Sequence, residues 1–227
     1  MARLVVNTFV TLDGVMQAPG APDEDRSGGF TYGGWTVPYW SDEMLRTIAE
    51  ESAGMEALLL GRGTYDIFAA HWPRVSDDDP VAEVLNRVPK HVVMHEPRPL
   101  AWRNATAVAG ANLAGEVERL KGTYAREIQV HGSWGLLQSL NAAGLVDEYR
   151  LWVFPVSVGP GKRLFGDDAR PTGFRLLGAR PFASGVVVLQ YERAGAPTVG
   201  SFALDERGTA ALVAEASAIA ARATDDR

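Results

Sequence analysis

The stretch Val130-His131-Gly132-Ser133-Trp134-Gly135-Leu136-Leu137 is where the fold can be read most directly. It follows a short apolar run from Ile128 to Val130 and opens a segment with apolar residues at Leu136, Leu137 and Leu140. Strand, glycine turn and helix therefore follow one another. Such a turn aims backbone N–H groups and the positive end of a helix dipole at one point, where an anion is favoured. Gly132 and Gly135 leave the main chain uncovered by a Cβ, so a phosphate can approach it. Two glycines after a strand also serve as plain strand-to-helix punctuation.

A second turn of the same kind lies upstream, at Leu58-Leu59-Leu60-Gly61-Arg62-Gly63-Thr64-Tyr65. An apolar run again ends in glycine, and a helix is expected over Tyr65 to Ala70. Thr64 either caps that helix through its hydroxyl or gives the hydroxyl to a phosphate. Arg62 offers a planar cation suited to phosphate oxygens, or is a solvated surface charge. Two strand–glycine–helix turns in one chain point jointly to the pyrophosphate of a dinucleotide. Neither fits the G-x-G-x-x-G fingerprint, nor the phosphate loop that requires a Lys absent here.

Outward from these turns, strands are expected over Leu4 to Val10, Ala57 to Leu60, His91 to Met94 and Ala105 to Val108. Helices are expected behind Ser41, around Leu113, Val117 and Leu120, and over Ser133 to Ala142. This alternation implies an α/β fold of three layers on a mostly parallel sheet. After Asp147 the pattern changes to strands at Tyr149 to Val156, Phe174 to Pro181 and Gly185 to Glu192. The turn Phe182-Ala183-Ser184-Gly185 makes an antiparallel C-terminal hairpin of the last two. Residues 13–40 form a long loop rich in Gly, Pro and aromatics. Loops of that length in compact domains are usually functional or disordered. Gly195 to Gly200 reads as a linker, and residues 204–222 as an Ala-rich helix.

With 227 residues and 46% hydrophobic content the chain can bury a full core. Its net charge of −6 argues against nucleic-acid and anionic-membrane partners. No cysteine is present, which excludes disulfides, thiol catalysis and Cys-ligated zinc. No His/Asp/Glu grouping has metal-ligand spacing. The start Met1-Ala2-Arg3-Leu4-Val5-Val6 is too short and strand-like for a signal peptide, and no apolar run reaches membrane-spanning length. A soluble cytoplasmic protein is expected.

Four motifs in order resemble the dihydrofolate-reductase-like superfamily, and within it the bacterial group related to the reductase domain of riboflavin biosynthesis. They are Asn7-Thr8-Phe9-Val10-Thr11-Leu12-Asp13-Gly14-Val15, Leu60 to Tyr65, the Gly132–Gly135 turn, and Asp147-Glu148 leading into Pro155 to Phe165. The resemblance spans residues 3–193. It implies a reductase domain over 1–193, followed by a linker and C-terminal helix over 194–227. It also implies an NADPH-dependent oxidoreductase, with NADH not excluded, acting on a small-molecule substrate, and a homodimer.

By the same resemblance, Gly132, Ser133, Trp134, Gly135 and Leu136 hold the pyrophosphate, with Gly61, Arg62 and Thr64 on its other side. Thr8, Phe9, Val15, Met16 and Gln17 line the nicotinamide, although Phe9 and Met16 also suit ordinary core packing. The place where relatives bind the adenosine 2′-phosphate reads Val93-Met94-His95-Glu96. There Glu96 would repel a phosphate, and His95 is only partly charged at neutral pH.

For the substrate, Trp35 and Trp40, with Tyr32 and Tyr39, offer a flat aromatic slot, unless the loop is pinned by its own aromatics. Asp42 lies where a dihydrofolate reductase carries a pterin-facing carboxylate, although acids behind a Ser cap also follow from the helix dipole. His131 and His71 read as hydrogen-bonded structural residues and Asp13 as a turn-former. No catalytic residue is assigned. Three functions follow: a reductase of a small heterocycle, a riboflavin-pathway pyrimidine reductase, and a nucleotide-binding protein without turnover.

Overall fold

The structure, a computed structural model, describes residues 1–96, 98–201 and 208–216. The chain divides into two compact units, Met1–Gly195 and Ala196–Arg227. The first is built on one mixed sheet of eight strands among the described residues, in the order β4-β3-β2-β5-β1-β6-β8-β7. The strands are β1 (Arg3–Thr11), β2 (Met55–Gly61), β3 (Lys90–Met94), β4 (Ala105–Ala109), β5 (Glu127–His131), β6 (Glu148–Phe154), β7 (Phe174–Pro181) and β8 (Val187–Arg193). β4 through β6 in that order run parallel, while β8 and β7 are antiparallel. The helices are α1 (Asp42–Ser52), α2 (Arg62–His71), α3 (Pro80–Arg87), α4 (Leu113–Thr123) and α5 (Trp134–Ala143).

β2 shows why three layers form. Ala57 and Leu59 pack with Val117 and Leu120 of α4 and Leu136, Leu137 and Leu140 of α5. Leu58 and Leu60 turn the other way, onto Tyr65 of α2 and Val84 and Leu85 of α3. A continuous apolar run with a period of two thus fills a core on each face. A third cluster joins Trp152 and Phe154 of β6 to Met44 of α1 and to the long loop through Val15, Phe30 and Trp35. α3 was not anticipated from the sequence. Asp79 caps it by accepting from Val81 N and Ala82 N, and Pro80 takes its first position. Of the helix expected over 204–222, residues 208–216 are helical, and the rest lies outside the described residues. Among the described residues no helix is long and apolar enough to cross a membrane.

One polar network crosses the centre of the sheet on the α1 side. In the ladder Asn7 of β1 pairs with His131 of β5 and Arg150 of β6. Register partners on neighbouring strands share a face. Arg150 forks onto Glu127, with Nη2 2.6 Å and Nη1 3.1 Å from its two oxygens, and its Nε reaches Glu148 at 2.9 Å. Arg3 pairs with Glu148 from the end of the row. Burial pushes the Glu127 carboxyl up, but its bonds to Arg150 and Gln129 outweigh this and leave it below the usual range. One guanidinium therefore ties β5 to β6 across β1. Arg150→Met should lower unfolding free energy by about 3 kcal/mol, because it leaves the half-buried Glu127 carboxylate without its cation while Glu148 keeps Arg3. Denaturant unfolding measures this, and a loss under about 1 kcal/mol would show that the pair is not a structural tie.

Candidate functional site

The two glycine turns meet. Gly61 closes β2 and serves as the N-cap of α2, while Ser133 follows β5 and serves as the N-cap of α5. The Gly61 N–H donates to Ser133 Oγ at 3.0 Å, and the Ser133 N–H donates to Thr64 Oγ1 at 2.9 Å. Ser133 Oγ in turn donates to His131 O at 3.1 Å. Gly132 and Ser133 both carry positive φ, 52° and 59°. For Ser this left-handed conformation costs of order 1 kcal/mol. Its three hydrogen bonds hold it there.

These bonds revise two sequence expectations. Thr64 does not cap α2; it sits inside the first turn, and its oxygen receives the opposite turn. Ser133 spends both N–H and hydroxyl on the protein, so it joins the two turns and offers no donor of its own. The Thr64 hydroxyl proton makes no hydrogen bond to the described residues and can still be given away.

Helix caps mark the site. Ser41 caps α1, Asp79 caps α3 and Asn112 caps α4, each by a side-chain bond to an N–H of the first turn. α2 and α5 have no such side-chain bond. Their first-turn N–H groups, from Arg62, Gly63 and Thr64 and from Trp134, Gly135 and Leu136, have no carbonyl one turn back. Both helices open on one cavity of about 880 Å³. Gly63 and Gly135 both line it, and a Cβ built on either meets no atom of another element within 4 Å, so no other element covers these two glycines. Two helix N-termini so placed can receive an anion between them.

The cavity runs along the C-terminal ends of the parallel strands. Asn7, Thr8, Phe9, Met16 and Gln17 line it near β1; Val93 and Met94 line it at the end of β3, and His95, Glu96 and Arg98 just beyond. This is the crevice where open parallel sheets bind ligands. Arg62 lines it too, with Nε 2.9 Å from both Asp66 carboxylate oxygens.

Four sequence-predicted residues lie elsewhere. Val15 is fully buried in the cluster around Trp152 and Phe154, against Gly161. Trp35 is buried there, with Nε1 donating to Gln17 O at 2.8 Å. Trp40 packs edge-on against Phe9, with its Nε1 on Thr36 Oγ1. Asp42 is exposed at the start of α1. None of these four lines the cavity. The aromatic loop is pinned by its own rings, and Asp42 stands where a helix dipole wants an acid. Asp13 lies outside the cavity as a turn anchor. Burial raises its carboxyl, but the Thr11 hydroxyl and the Gly159 and Val158 N–H groups hold it at about 2.

The long loop is clamped over the β1 end. Gln17 Nε2 donates to Ser27 O at 2.9 Å and to Asp25 O at 3.2 Å, and its Oε1 accepts from Lys162 N. Lys162 Nζ pairs with Asp25 at 2.6 Å and lies 5.3 Å from the centre of the Trp134 ring. Glu24, Asp25, Phe68 and Arg98 were not named from the sequence, and Asn7 and Lys162 entered only as members of the motifs at 7–15 and 155–165, yet all line the cavity. Of the four not named, Arg98 left a trace, a cation two places past His95-Glu96.

His131, read from the sequence as structural, also lines the cavity. Its Nε2 lies 2.9 Å from Gln129 Oε1. Burial, then the Arg150 charge, lowers its pKa to about 4 from the ordinary 6.5.

This chain belongs to the family described as the RibD C-terminal domain, which matches residues 2–188. An uncharacterized protein of Bacillus subtilis strain 168, YyaP, is 28% identical over 196 residues, 83% of this chain and 94% of that one. Among solved structures, the Thermotoga maritima deaminase/5-amino-6-(5-phosphoribosylamino)uracil reductase superposes with TM-score 0.57 at 12% identity, over 85% of this chain and 57% of that one. Enterococcus faecalis dihydrofolate reductase, solved with NADP(H), superposes with TM-score 0.54 at 12% identity, over 84% of this chain and 96% of that one. The fold is dihydrofolate-reductase-like.

His131 gives a testable pH dependence. With a folded pKa of about 4 and an ordinary one of 6.5, the unfolded chain binds more protons between those values. Its contribution is fully present above about pH 6.5 and is lost as pH falls toward 4, by up to ~1.4 kcal/mol per pH unit. Melting temperatures across this window should flatten in His131→Phe; an unchanged slope would assign the loss to other groups.

Proposed function

We propose that this protein is an NADPH-dependent reductase that sends hydride to a small heterocyclic substrate, with residues 1–193 as its reductase domain. The observation that carries this reading is the pair of uncapped helix N-termini, bonded to each other and opening on one cavity. Family membership and the likeness to enzymes of reductive chemistry support it. The first-turn N–H groups of α2 and α5, with the Thr64 hydroxyl, would hold the diphosphate. Thr8, Phe9, Met16 and Gln17 would border the nicotinamide, where Phe9 and Met16 keep water off the ring. The bound nicotinamide supplies the hydride; the chain binds, orients and excludes water. Arg98 is the cation for a 2′-phosphate, offsetting Glu96, and this favours NADPH over NADH.

NADPH at saturation should raise the melting temperature by mass action. Gly132→Val should abolish the rise, because φ of 52° suits Gly and strains a β-branched residue. Arg98→Ala should weaken NADPH about tenfold and leave NADH nearly unchanged. Parent-like responses from both variants would remove the assignment, and NADPH bound but never oxidised across a substrate panel would favour a binding protein without turnover.

A riboflavin-type pyrimidine reductase is the second reading, favoured by the family match. Against a phosphorylated substrate, the β1 end carries Glu24 and Asp25, and its Lys162 is already paired with Asp25. NADPH consumption with the ribosylamino-pyrimidine should therefore be faster without its phosphate than with it. The reverse order would restore the pathway substrate.

A further inference from the structure

A second, smaller cavity of about 220 Å³ lies at the end of α5 remote from its glycine turn. It shares no lining residue with the large cavity. Tyr149 of β6, Phe165 and Phe174 of β7 form its wall, with ring centres 5.4 to 5.9 Å apart. Phe165 and Phe174 remain 43% and 37% exposed, so the three rings leave apolar surface open to a guest. Among the described residues no Asp or Glu lines this space. Tyr149 adds no negative charge either. Burial pushes its hydroxyl well above the usual tyrosine range, and it donates to Asn141 Oδ1.

Two arginines stand at the rim, Arg170 and Arg193. They converge beside Gly144, where an ideal Cβ would lie 3.2 Å from Nη1 of each. Both groups are therefore within reach of a single carboxylate. Arg193 Nη1 donates to Gly144 O at the C-cap of α5. The Arg170 side chain makes no hydrogen bond to the described residues, and neither arginine makes an ion pair with them. Their neighbours on the hairpin differ: Arg175 pairs with Glu192, and Arg180 with Glu43 and Glu50. A helix C-terminus attracts cations, but it carries only about half a negative charge. Two guanidinium groups exceed that, and a positive charge is left over beside an apolar wall.

We propose that this cavity is a second binding site, for a small aromatic carboxylate. The carboxylate takes an N–H from each guanidinium, in charge-assisted bonds. Its ring packs against Phe165 and Phe174. The volume of about 220 Å³ falls below the roughly 300–1,000 Å³ of drug-sized sites and suits a single ring. A neutral ring leaves both cations unanswered, and a bare anion leaves the rings uncovered. The assignment stands apart from the reductase reading, because it calls for no coenzyme.

Calorimetric titration of the full chain at low ionic strength tests it with three probes: benzoate, its neutral counterpart benzamide, and acetate. Benzoate should bind saturably, about tenfold tighter than either of the others. Arg170→Gln removes an exposed side chain with no partner among the described residues, so the variant should melt with the parent. It should bring benzoate and benzamide within about twofold of each other. Phe165→Ala should weaken benzoate and benzamide by the same factor. Absence of saturable benzoate binding, equal binding of benzoate and benzamide, acetate bound as tightly as benzoate, or parent-like discrimination by Arg170→Gln overturns the proposal.

Discussion

The bond pair between the two turns, Gly61 N–H to Ser133 Oγ and Ser133 N–H to Thr64 Oγ1, is the constraint on which the site depends. β2 and β5 are adjacent in the sheet, so their C-terminal turns are neighbours by topology. Adjacency alone does not make two helix ends point at one place. A serine forced into a left-handed conformation does, because three hydrogen bonds outweigh the backbone strain. Its side chain receives the N–H that precedes α2, and its own N–H is received within α2. The two dipoles are locked onto a common focus before any ligand arrives.

The polar row beneath the cavity plays a different part. A sheet centre filled with Arg150, Glu127, Glu148, Gln129 and Glu51 is more costly than an apolar one of the same shape. What it supplies is direction. Amides and imidazoles have two chemically different ends, and apolar packing cannot tell them apart. A chain of charge-assisted bonds can, since each partner is donor-only or acceptor-only at the point of contact. The neutral state of His131 follows from the same surroundings, by burial and by the Arg150 charge in its row.

Much of the fold was legible because its signals are periodic. The apolar run in β2 and the glycine turns after β2 and β5 each carry a local reason for their shape. The α3 signal was also present, as Asp79 followed by Pro80, but eight residues hold too few apolar repeats to draw attention. The backbone half of the site was legible for the same reason as the fold. The side-chain half was not. Aromatic residues in a long loop say that something is covered, not which side they cover; Trp35 and Trp40 turned inward onto Phe154. The Gln129 to Glu51 contact joins residues 78 positions apart, and no spacing rule reaches that far.

The loop over the β1 end is fastened entirely by protein groups: Gln17 to the Asp25 and Ser27 carbonyls, Lys162 to Asp25, and Trp35 to the Gln17 carbonyl. A covering segment that is loose until its ligand comes must give up backbone freedom on every encounter, about 1–2 kcal/mol per residue immobilised. Here that entropy is surrendered once, as the polypeptide folds. Affinity at this end is then governed by what the guest and the wall offer each other, and departure requires breaking those contacts without melting the cover.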